Sequence, residues 1–105
     1  MLVNHATFRG NLASITRRGL LKAKSTGKRL AVWLVTAANA PWAALHVAAR
    51  HGGSIRSVVV LEVNIPRRWL KRHSTPGVYS VPRDIPAERI RGIATFGRLA
   101  GHPAA

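Results

Sequence analysis

The chain contains no cysteine, and of its 105 residues only Glu62, Asp84 and Glu88 carry a side-chain carboxylate. The first absence removes disulfide scaffolds, thiol nucleophiles and thiolate metal sites, and it fits a reducing compartment. The second nearly removes chemistry built on paired carboxylates, because Glu62 falls inside an apolar segment while Asp84 and Glu88 share one connector. No run approaches the roughly 18 apolar residues that a membrane-crossing helix needs. The first residues also lack the basic-then-apolar layout of a secretory leader. We therefore expect a cytoplasmic protein with no membrane partner. Phosphate-cradling glycine patterns such as GxGxxG and GxxxxGK[ST] are missing, and so is a GxSxG nucleophile elbow. Histidine is better represented, with five, but His46 and His51 would lie on different faces of a helix and have no carboxylate near them in sequence. No metal is expected.

Positive charge is what the chain has in excess. Seventeen Lys and Arg give a formal charge of +14. Self-repulsion on this scale is most readily tolerated when a polyanion neutralises it, so nucleic acid, DNA or RNA, is the expected partner. The basic residues are scattered along the chain, and the fold must gather them onto a face. Arg17, Arg18, Lys22, Lys24, Lys28, Arg67, Arg68, Lys71 and Arg72 are the candidate nucleic-acid-binding residues. The hydrophobic fraction, 47%, is high enough for a core, and 105 residues suit a single domain over residues 1–97 with a frayed tail at 98–105.

The order of patterns predicts an α+β domain. Residues 2–7 read as an opening strand. Asn11 can cap a short helix in which Leu12 and Ile15 share a face, and Gly19 supplies its left-handed end. Residues 22–29 read as a loop and 30–36 as a strand. A second helix starts near Asn39 or Ala40 with Pro41 at its first position, and Trp42, Leu45, His46 and Ala49 recur at helical spacing before Gly52 and Gly53 stop it. Residues 57–64 form the clearest strand, β-branched almost throughout and dense enough to be covered on both faces. Pro66 opens a helical turn carrying Trp69 and Leu70. A turn at 74–77 then leads to a short strand at 78–81, and residues 89–95 form an edge strand anchored by Ile90 and Ile93.

Several of these segments carry motif-like residues. The opening, Asn4-His5-Ala6-Thr7, then Asn11-Leu12-Ala13-Ser14-Ile15 and Arg18-Gly19-Leu20, is similar to a "[YL]HGT…NL.SI…GL" pattern. Arg29-Leu30-Ala31-Val32-Trp33-Leu34 sits where that pattern continues as "vYL" or "R.HVHL", and residues 58–64 fit its long "vvlevdv" strand. Gly77-Val78-Tyr79-Ser80-Val81, leading into Ile85-Pro86-Ala87-Glu88-Arg89-Ile90, is similar to its third-motif strand. Over most of its length, and in the same order, the chain thus resembles the ADP-ribosyltransferase-like superfamily, which includes poly(ADP-ribose) polymerases and tRNA 2′-phosphotransferases.

The resemblance implies a small split β-sheet with two or three short helices, clamping NAD or an ADP-ribosyl compound between its halves. It assigns His5 to the nicotinamide ribose, Trp33 to stacking on the nicotinamide ring, and Thr7, Val78 and Tyr79 to the cofactor's surroundings. Arg9, Arg29 and Arg83 would hold phosphates, and His5, Trp33 and Arg29 would form the catalytic set. Two positions depart from the pattern. Ala6 replaces a glycine, and Val78 stands where vigorous transferases carry the catalytic glutamate, a slot that is also apolar in the tRNA 2′-phosphotransferases. The implied function is a transferase of NAD or ADP-ribose type acting on nucleic acid. Two alternatives stay open: a catalytically degenerate basic nucleic-acid-binding domain, and a partner-binding module of phage or toxin–antitoxin type. An open cleft lined by arginines, between the first two strands and the Val78 strand, favours the first reading; a cleft filled by Trp33 favours the others.

Overall fold

A computed structural model describes residues 1–22, 31–50 and 52–95. The most apolar segment becomes strand β3 (Val58–Asn64), in which every residue from 58 to 61 and Val63 is buried while Glu62 faces out. It lies between β1 (Leu2–Phe8) and β6 (Ile90–Thr95). On the far side of β1 follow β2 (Val32–Val35), β5 (Val78–Val81) and a two-residue edge strand, β4 (Lys71–Arg72). The six strands form one antiparallel sheet in the order β4-β5-β2-β1-β3-β6, with two helices, α1 (Leu12–Arg18) and α2 (Ala40–Arg50). The α+β class follows directly.

Alternation along the strands sends side chains to two covered faces. On one face Val58 and Val60, with Ala6 beside them, meet Ala40, Ala44 and Ala48 of α2. On the other, Val3, Val32, Leu34, Leu61, Val63 and Val81 pack with Ile15 of α1 and with Leu20, Ile65 and Ile85 from connecting segments. Burial on both faces explains why β3 tolerates almost no polar residue.

Two sequence expectations are corrected here. The stripe Trp42, Leu45, His46 and Ala49 does not face the sheet: Trp42 and Leu45 are 51% and 53% exposed, while the alanines at i, i+4 and i+8 are buried. Alanine wins because its small side chain lets the helix backbone lie close against a valine-covered sheet, where indole and isobutyl groups would hold it off. Asn11 makes no capping bond to α1; its Nδ2 donates instead to Thr7 Oγ1 at 3.2 Å. Gly19 ends the helix as expected, at φ 80°. Any side chain there would run into the Ile85 carbonyl, because Leu20 and Ile85 exchange two 2.8 Å backbone hydrogen bonds directly beside it.

The feature that positions the site is the junction of β1 and β2. β1 and β3 are in register from Leu2–Asn64 to Phe8–Val58, and β2 pairs with β5 along its whole length. β1 and β2, by contrast, are paired only at Asn4 and Val35. The sheet is therefore two half-sheets, β4-β5-β2 and β1-β3-β6, joined at one point and parted beyond it. The expected loop beyond Lys22, the first residue of the expected strand at 30–36 and the tail at 98–105 lie outside the described residues. No helix among the described residues is long and apolar enough to cross a membrane.

Candidate functional site

Where β1 and β2 part, a cleft of about 640 Å³ opens. His5 and Thr7 of β1, Trp33 and Val35 of β2, Val78 of β5, Ser14 and Ile15 of α1, and Trp42 and His46 of α2 all line it. It is open rather than filled by Trp33, but it is not lined by the expected arginines: among the described residues Arg50 is the one arginine in its wall.

His5 is half-buried in the cleft wall, and its Nδ1 lies 2.7 Å from the Trp33 carbonyl oxygen. A carbonyl can only accept, so Nδ1 carries the proton and donates, which leaves the Nε2 lone pair of the neutral ring as an acceptor. Burial holds the His5 pKa below its usual 6.5, and the hydrogen bond to Trp33 opposes this only in part. The ring is neutral at physiological pH. Nε2 has no partner among the described residues and is not sealed from solvent, so its lone pair is available to a bound molecule. The same bond crosses the seam just past the last paired residues and ties one half-sheet to the other.

Trp33 is 37% exposed. Its ring is braced by His73, with centroids 4.6 Å apart and planes tilted by 44°. His73 is fixed in turn by a 2.7 Å hydrogen bond between its Nε2 and the hydroxyl of buried Ser80, the residue opposite Trp33 in the β2–β5 register. An indole held in this way offers a flat apolar surface without further ordering cost. Thr7 is buried, its hydroxyl accepting from Asn11, and Val78 closes part of the wall.

Of the residues expected around a cofactor, His5, Thr7, Trp33 and Val78 come together. Tyr79 does not, because alternation along β5 turns it to the opposite face, where it packs on the larger core. Arg9 is exposed in the turn after β1 and does not line the cleft, and Arg83 lies with its guanidinium 3.8 Å from the Trp69 ring centroid. Arg29, Lys24 and Lys28 lie outside the described residues. Arg17 and Arg18 are exposed at the end of α1, Arg67 and Arg68 in the turn Arg67–Trp69, and Lys71 and Arg72 on the edge strand. Lys22 is exposed as well, with its backbone N–H donating to Asp84 Oδ1 at 2.9 Å.

Sequence reasoning misses Trp42 and His46 as cleft residues. Their rings are 5.4 Å apart on successive turns of α2 at the cleft wall, and the clue was their i, i+4 spacing, which also fits a core stripe. Ala6, which replaces the motif's glycine, does not have the positive φ that would demand one. None of the three carboxylates lines the cleft, and no metal-holding group of His, Asp and Glu occurs among the described residues. What the lining can do chemically is offer an indole surface to a flat ring, accept a hydrogen bond at His5 Nε2 and exclude water from part of the ligand.

No protein-family model matches the chain, and no curated protein matches it. Among solved structures it is similar to the X-ray structure of protein CC0527 from Caulobacter crescentus, with a TM-score of 0.61 and 18% identity, over 90% of this chain and 84% of that one. At that identity the two chains share a fold.

Proposed function

We propose that the cleft between the half-sheets binds a ligand of NAD or ADP-ribosyl type, as in an ADP-ribosyltransferase-like domain, and that a nucleic acid is the second substrate or docking partner. The observation that carries the reading is the pair formed by His5 and Trp33: a fixed acceptor and a braced indole on the two sides of one open seam. A ribose hydroxyl can donate to Nε2 while the attached ring lies against the indole. With Val78 at the position of the family's glutamate, the described lining holds and orients the ligand. His5, neutral and with Nε2 unengaged, is placed to accept a hydrogen bond from a ribose hydroxyl and so to orient it. The nucleic-acid part rests on the +14 charge and on the exposure of Arg17, Arg18, Arg67, Arg68, Lys71 and Arg72.

Calorimetric titration with NAD, ADP-ribose and a 2′-phosphorylated oligonucleotide tests it. Wild type should bind at least one of them, and His5→Ala, once shown to be folded, should weaken that binding about tenfold, equivalent to about 1.4 kcal/mol. Absence of binding to all three at millimolar concentration refutes the proposal.

A further inference from the structure

Trp69 sits beneath two arginines. The Arg83 guanidinium lies 3.8 Å from its ring centroid and that of Arg89 lies 5.1 Å away. The two charges are therefore within about 9 Å of one another, comparable to the Debye length of about 8–10 Å at 0.15–0.1 M salt. Neither has a carboxylate to answer it. Asp84 follows Arg83 in the chain, yet its Oδ1 accepts the Lys22 N–H, and Glu88, which precedes Arg89, bonds to neither arginine. The indole, itself half-buried against the core, holds both guanidinium groups near its ring by cation–π attraction and leaves their N–H groups without acceptors among the described residues. Arg67 and Arg68 are exposed in the same turn as Trp69, and Arg72 is exposed on the adjoining edge strand.

We infer that the surface formed by Arg83, Trp69 and Arg89, with Arg67 and Arg68 beside it, is a docking site for the phosphodiester backbone of a nucleic acid. Planar guanidinium forks match phosphate oxygens two at a time, and side chains ordered in advance lose little freedom on binding. Two like charges held close together without a counter-charge are repelled in the free protein, and a phosphate placed between them reverses the sign of that interaction. A backbone carrying a charge at every nucleotide also matches the further arginines on either side. The inference rests on the nucleic-acid part of the proposed function and is independent of what fills the cleft.

The test measures fluorescence anisotropy of labelled single-stranded RNA and DNA over a salt series. Arg83→Gln combined with Arg89→Gln should weaken binding at least tenfold near 100 mM salt and lower the magnitude of the slope of log K against log salt by about 1.4. Arg56→Glu changes the net charge by the same amount at the opposite end of β3, and it should alter affinity by no more than about threefold if the site is local. Trp69→Leu keeps every charge but removes the platform, and should cost severalfold. Equal losses in the double variant and in Arg56→Glu would reduce the effect to overall charge and overturn the site. Binding of poly-glutamate as tight as that of the oligonucleotides, with the same sensitivity to the double variant, would overturn it in favour of an acidic protein partner. NAD titration of the double variant separates the two proposals: unchanged NAD binding with lost oligonucleotide binding leaves the cleft reading standing.

Discussion

At the scale of single residues, His5 joins architecture to chemistry, because the bond that fixes its tautomer also bridges the two half-sheets. Its depressed pKa has a consequence for stability. Between the folded value and 6.5 the unfolded chain binds a proton that the folded chain refuses, so stability falls as pH drops through that window and is unaffected by this group above it. His5→Asn keeps a donor near the position of Nδ1 and cannot be protonated. Its melting temperature should therefore fall less than that of wild type between pH 7.5 and pH 5, and parallel profiles would show that the wild-type ring is protonated without cost. The position of His5 in the motif is legible in the sequence, but its partner, a backbone carbonyl on another strand, leaves no trace in residue identities. Arg83 shows the same gap: the indole that claims it is distant in the chain, and nothing local separates a phosphate-holding arginine from one parked on a ring.

At the scale of elements, β1, β3 and β5 are readable from sequence because burial on a pleated face demands β-branched or alternating residues, whereas β6 is an edge strand whose expected anchor Ile93 is 50% exposed. β4 is not readable, since Lys71 and Arg72 have no apolar signature and pair with Tyr79 and Ser80 only because the turn between them folds back. α2 is readable as a helix but not in its orientation, which depends on shape rather than on hydrophobicity. Ala44→Leu should accordingly destabilise the protein by about 1–3 kcal/mol through overpacking against Val58 and Val60. Leu45→Ala on the exposed side should stay within about 0.5 kcal/mol. Chemical denaturation of the two variants checks the difference, and a larger effect at Leu45 would mean that the wrong stripe faces the sheet. The split of the sheet is implied by the family resemblance alone and not by residue patterns, because a strand that pairs at one point has the same composition as one that pairs throughout.

At the scale of the whole molecule, charge sets the terms. A chain at +14 with three acidic residues is destabilised by its own field, and that field is screened by salt. Raising sodium chloride from about 10 to about 200 mM should therefore raise the melting temperature by several degrees, and a fall would show that the basic residues are already compensated within the fold. The topology has a temporal consequence too. Among the described strands β1 is made before the others and ends in the interior of the sheet, and its longest register partner, β3, begins some fifty residues later. At about 5–20 residues per second the nascent chain spends seconds with an apolar strand bare along the edge that β3 will cover. Pairing over such a separation also makes closure of the loop, rather than formation of either helix, the slow step of folding. The strand that carries His5 is thus synthesised before the partner that shelters it, and its edge away from the seam stays bare until β3 has been made.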